Sequence, residues 1–156
     1  MINRHNELVT NDDVVILMGD LSAALRGRQE HFRELLQLLN GQKYLIRGNH
    51  DYESKKFYQS AGIIDVKEYW VIGKYFFCHY PCYSSRYTTK KENRFVQKLK
   101  KYPQCTHIIH GHIHDKDPLL WEPDGYTRLN TSVDFKPNNY YPIELNDNTL
   151  IEHFYK

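Results

Sequence analysis

VVILMGD, residues 14–20, is the stretch that decides the fold. Five consecutive apolar residues, three of them β-branched, end abruptly at Gly19-Asp20, the pattern of a strand buried on both faces of a parallel sheet. KYLIR (43–47) breaks in the same way at Gly48-Asn49-His50-Asp51, and THIIH (106–110) at Gly111-His112-Ile113-His114. Between the first two strands, RQEHFRELLQLL (28–39) sets Phe32, Leu35, Leu36 and Leu39 at helical spacing, and Asn40-Gly41 supplies the stop. Strand, helix and strand with a glycine after each strand read as an α/β domain. Ligands in such sheets bind in loops beyond the carboxyl ends of the strands.

The remaining segments extend the same reading. ESKKFYQSA (53–61) predicts a short helix, and IIDVKEYWVI (63–72) and KYFFCHY (74–80), joined at Gly73, predict adjacent strands. TTKKENRFVQKLKKY (88–102) places Phe95, Val96 and Leu99 on one side of a basic helix, whose charged side is expected to face water. The tail from Tyr126 to Tyr155 alternates, as in YPIEL (141–145) and TLIEHFY (149–155), which predicts strands separated by a turn at Asn146-Asp147-Asn148.

With 156 residues, the chain is expected to form a single domain over 1–156. Twenty-one basic and nineteen acidic residues leave a formal charge of +2, short of the concentrated basic footprint of a nucleic-acid-binding protein. No apolar run approaches the length of a bilayer span, and the first residues lack the layout of a signal peptide. The expected setting is cytoplasmic, with no membrane partner and with Cys78, Cys82 and Cys105 as reduced thiols. Cys78 reads as a strand cysteine and Cys82 as a loop cysteine.

Three strand-glycine loops and the end of the KYFFC strand collect Asp20, Asn49, His50, Asp51, His79, His112 and His114. A carboxylate, an amide oxygen and several imidazoles make a mixed oxygen and nitrogen donor set. Such a set suits manganese, iron, zinc or nickel better than calcium or thiolate-seeking metals. His107 and His110 precede the glycine and read as strand residues, and His5, His31 and His153 as ordinary polar positions.

In this order, GDL (19–21), GNHD (48–51), HYP (79–81) and GHIH (111–114) resemble the calcineurin-like metallophosphoesterase family, particularly its short bacterial and phage members. NTSVDFKPNNYYPIEL (130–145) is similar to the C-terminal end of such proteins. The resemblance implies a sandwich of two mixed β-sheets flanked by helices. It implies that Asp20 bridges two divalent metal ions, that Asn49, His79 and His112 complete the shell of one, and that His114 binds the other. His50 would be the general acid, oriented by Asp51, and a metal-activated hydroxide would attack phosphorus. The substrate is expected to be a small-molecule or nucleotide phosphate mono- or diester, and manganese is the first expectation for the metal. Arg86, in the loop after His79-Tyr80-Pro81, is a candidate contact for the substrate phosphate.

One part of the family pattern has no counterpart. The family opens with a strand ending in Asp-x-His, whereas MINRHNELVTNDD (1–13) resembles the segment that follows that strand. The first strand is therefore expected to be missing and the domain N-terminally incomplete, with a start assigned at an internal codon as the favoured explanation. His5 is no substitute, since no aspartate stands two residues before it. The expected consequences are one firmly bound metal, a weak or empty second site, and an exposed sheet edge that favours self-association. The rival expectation is a catalytically impaired remnant that retains metal or phosphate binding.

Overall fold

A computed structural model describes residues 1–21, 27–83, 89–114 and 124–154. The strands assemble as two sheets. In the first, β1 (Val14–Leu17), β2 (Gln42–Ile46) and β3 (Ile63–Lys67) pair in that order and run parallel. In the second, β4 (Tyr69–Ile72) runs antiparallel to β5 (Tyr75–Cys78), and β6 (His107–His110) and β7 (Thr127–Asn130) follow in parallel. The helices are α1 (Ile2–Leu8), α2 (Gln29–Gln37), α3 (Lys55–Ser60), α4 (Lys90–Leu99) and α5 (Asn148–Phe154), with a 3-10 turn at Lys136–Asn138. None of these helices is long and apolar enough to cross a membrane.

Period-two alternation along the strands sorts the core into layers. Leu45 faces outward to Phe32, Leu36 and Tyr58 of α2 and α3, while Ile46, its neighbour, faces the second sheet. Across the interface Phe77 and Ile109 face inward to meet Ile46, and Phe76 and Ile108 face outward to Phe95, Val96 and Leu99 of α4. The molecule is thus a sandwich of helix, sheet, sheet and helix, and its interior lies where β2 meets β5 and β6.

Three expectations are corrected. β1 is not buried on both faces: all four of its residues are half-buried, because among the described residues it pairs only with β2 and forms the edge of its sheet. The segment 63–72 is two strands in different sheets. The chain bends at Glu68, whose carboxylate turns outward to Arg94 of α4 at 2.8 Å. Alternation continues across such a bend, so a pattern of period two does not reveal it. Of the tail from Tyr126, Thr127–Asn130 is the strand β7, but among the described residues YPIEL (141–145) forms no strand and Asn148–Phe154 is helical. Asp147 Oδ1 accepts the Thr149 N–H at 2.9 Å, which starts the helix, and Leu150 and Phe154 then fall on one face against the sandwich interior.

α1 is fastened rather than loose. Asn6 donates to the Leu38 carbonyl (2.8 Å) and accepts from the Asn40 N–H (3.0 Å), while His5 Nε2 lies 3.0 Å from the Asn40 carbonyl. That contact gives His5 the structural role the sequence assigns it.

Ile46 is wholly buried between the sheets. Ile46→Ala should cost about 2–5 kcal/mol of folding stability, read as a lower urea midpoint with an unchanged slope.

Candidate metal centre

Each site loop leaves its strand through backbone that most side chains resist. Gly19 has φ +95°, and a Cβ there would lie 2.6 Å from His79 Nδ1 and 2.7 Å from the Gly48 nitrogen. Glycine is therefore required where the loops after β1, β2 and β5 touch. Asp20, His112 and His114 also hold positive φ values of 59°, 70° and 54°, each a strain on the order of 1–3 kcal/mol. Around His112 the Ile113 N–H donates to the Gly111 carbonyl at 2.8 Å, closing a tight three-residue turn.

Asp51 secures two of these loops from beneath. It is buried, and its Oδ2 accepts the N–H groups of Asp20 and Gly48, both at 2.8 Å. The Tyr58 hydroxyl donates to Oδ1 at 3.3 Å, and Arg47 donates to the Asp51 and Glu53 carbonyls at 2.8 Å each. One carboxylate thus joins the ends of β1 and β2 and turns the Asp20 side chain upward.

Four donor atoms converge above this support. His79 Nε2 lies 3.2 Å from Asn49 Oδ1, 3.2 Å from His112 Nδ1 and 3.3 Å from Asp20 Oδ2. The ligand atoms of Asp20, His79 and His112 all lie within 4.8 Å of one another. Bonds of about 2.1 Å to one transition-metal ion would space neighbouring ligands by roughly 3.0–3.4 Å, so the separations around His79 fit an ion at their centre.

Hydrogen accounting supports the fit. His79 Nδ1 sits 2.7 Å from the Met18 carbonyl, which can only accept, so Nδ1 carries the hydrogen and Nε2 offers a lone pair. The Nε2 of His112 faces the Glu92 carboxylate, with Oε1 at 3.4 Å, and the negative charge there favours the tautomer with the hydrogen on Nε2 and the lone pair on Nδ1. Burial, with His79 as neighbour, holds the His112 imidazole below its ordinary pKa and so favours the neutral form. Two imidazole lone pairs, an amide oxygen and a carboxylate oxygen therefore point at one another with no hydrogen assigned between them. A cation resolves that conflict, and the donor chemistry suits a divalent transition metal.

The other expected residues surround this group. The His50 N–H donates to Asp20 Oδ1 at 2.8 Å, and its exposed ring has Nδ1 3.5 Å from the Tyr52 hydroxyl. His114 does not belong to the cluster; its Nδ1 lies 2.5 Å from Asp134 Oδ2, and its carbonyl accepts from Asn130. Arg86 lies outside the described residues. His107 and His110 are strand residues, as expected, and burial pulls His110 down to about 4.

Two partners escaped the sequence reading. Asp134 belongs to the quoted segment NTSVDFKPNN but had no motif position. Glu92 reads as a capping-box glutamate three residues after Thr89, and nothing local signals that it reaches a histidine twenty positions away.

A family model described as calcineurin-like phosphoesterase matches residues 2–116. The chain belongs to the calcineurin-like phosphoesterase family. The matched region contains Asp20, Asn49, His79, His112 and His114. The uncharacterized protein MJ1445 of Methanocaldococcus jannaschii is 31% identical over 149 residues, which cover 93% of this chain and 69% of that protein. A crystal structure of the protein of unknown function AQ665 from Aquifex aeolicus has a TM-score of 0.65 at 22% identity. The match covers 91% of this chain and 77% of that one, and it supports the fold.

Asp51→Ala would strip two loop N–H groups, the buried one of Gly48 and the half-buried one of Asp20, of their acceptor. The expected loss is at least about 2 kcal/mol, measured by chemical denaturation of the metal-free protein; an unchanged midpoint would remove Asp51 as the support of the loops.

Proposed function

We propose that this calcineurin-like phosphoesterase hydrolyses a phosphate mono- or diester, of a small molecule or a nucleotide, using a divalent transition metal held by Asp20, Asn49, His79 and His112. The carrying observation is the convergence of four lone-pair atoms whose rings are oriented by the Met18 carbonyl and Glu92. An ion bound there supplies Lewis acidity, which makes water a stronger nucleophile and offsets charge on the phosphoryl oxygens. Manganese is the ion proposed first, with iron, zinc and nickel as alternatives of the same donor preference.

The chain's own residues divide the remaining work. His50 is the proposed general acid that gives a proton to the leaving oxygen, a role supported by its exposed ring and by its backbone N–H bond to Asp20. Asp51 keeps the Asn49-His50 loop and the Asp20 loop in register. Arg86 is the proposed phosphate contact: in sequence it stands three residues before Thr89, which caps α4, the helix whose Glu92 faces His112. The free, buried thiols of Cys78, Cys82 and Cys105 support a reducing, cytoplasmic setting.

One firmly held ion is proposed, with weaker occupancy at His114, whose ring is engaged by Asp134. The same engagement favours the second reading, a metal- or phosphate-binding protein without turnover. Self-association through the half-buried edge at β1 is part of the same proposal.

Assay of a nitrophenyl and an alkyl phosphate ester with added manganese tests the reading. Turnover is expected to vanish with chelator and in Asp20→Ala. His50→Ala should slow the alkyl ester by about 10²-fold or more and the nitrophenyl ester much less, because nitrophenolate leaves without a proton. Metal binding without turnover of either ester would support the remnant.

A further inference from the structure

We propose that Glu92 is a positioning residue for His112, using one carboxylate both to cap α4 and to fix which ring nitrogen of His112 faces the site. The inference rests on the metal-centre reading above and gives Glu92 a role beyond its place in the capping box. Glu92 Oε2 accepts the Thr89 N–H at 2.7 Å, and Thr89 Oγ1 accepts the Glu92 N–H at 3.2 Å. These two bonds close the capping box of α4. The second oxygen, Oε1, lies 3.4 Å from His112 Nε2. The carboxylate is only 16% exposed, so water competes weakly for it.

A carboxylate is the group this position needs. It presents two acceptor oxygens, one for a backbone N–H and one for an imidazole N–H. An amide of the same shape has a single acceptor. If its oxygen serves the Thr89 N–H, its NH₂ must point at His112 Nε2, which then has to accept. The hydrogen moves to Nδ1 and projects at His79 Nε2, where a lone pair is required. The His112 ring has little freedom to escape, since Tyr80 packs edge-on at 4.8 Å between centroids and is backed by Phe95 at 5.2 Å. The Glu92 carboxylate therefore sets the ligand tautomer, a duty separate from its share in the cap of α4.

The test separates the two duties of Glu92. In Glu92→Gln the capping box survives, because glutamine serves at that position, whereas Thr89→Ala weakens the cap and leaves Glu92 in place. Co²⁺ is titrated into the full chain and followed by its visible absorption, with thermal melting of the metal-free proteins alongside. Wild-type protein is expected to bind Co²⁺, and Asp20→Ala to lose that binding. Glu92→Gln should bind at least about 10-fold more weakly with a melting temperature near that of wild type, and Thr89→Ala should melt earlier yet keep its affinity within about threefold. Nitrogen-15 shifts of His112 in the metal-free chains should report Nε2–H in wild type and Nδ1–H in Glu92→Gln. Equal Co²⁺ affinity in wild type and Glu92→Gln, or an equal loss in Thr89→Ala, would overturn the role of Glu92 alone. Equal binding by wild type and Asp20→Ala would overturn the metal centre itself.

Discussion

The hydrogen bond from His79 Nδ1 to the Met18 carbonyl is the contact on which the arrangement turns. It runs from the end of β5 in one sheet to the end of β1 in the other, so it holds the two carboxyl edges together. It also consumes the one hydrogen of a neutral imidazole and thereby commits Nε2 to act as an acceptor. Asp20, Asn49 and His112 then crowd that nitrogen with further acceptors. A protein rarely builds such a conflict into half-buried ground unless a cation completes it.

The fold bears the cost of this convergence in backbone conformation. Asp20, His112 and His114 occupy left-handed backbone, and Gly19 and Gly48 are pressed so close that no side chain fits at either. Such conformations persist where the surroundings over-determine them. Asp51 does this for the Asp20 loop, and behind it Tyr58 and Arg47 secure Asp51 to α3 and β2. The layers of the sandwich supply the rigidity: Ile46, Phe77 and Ile109 lock the sheets face to face just below the loops.

Legibility followed the range of the interactions. The strand-glycine-polar units at 14–20, 43–51 and 106–114 announce both the parallel strands and the loops that carry the ligands, because each signal is contained in a few neighbouring residues. The basic helix at Lys90–Leu99 was readable for the same reason, its apolar side being spaced at three and four residues. The bend at Glu68 was not readable, since two successive strands of different sheets alternate like one long strand. Nor was α5, whose residues satisfy a period of two and a spacing of four alike until Asp147 caps it. Glu92 and Asp134 belong to the third kind: each meets its histidine only through the tertiary fold.

Anomalous diffraction from crystals of the full chain grown with manganese is the decisive test of an ion bound at His79. A peak is expected at about 2.1–2.3 Å from His79 Nε2, Asp20 Oδ2, Asn49 Oδ1 and His112 Nδ1, with His79 Nδ1 still donating to Met18. A site without a peak, or with a hydrogen bond from His79 Nε2 to the Asp20 carboxylate in its place, would contradict it.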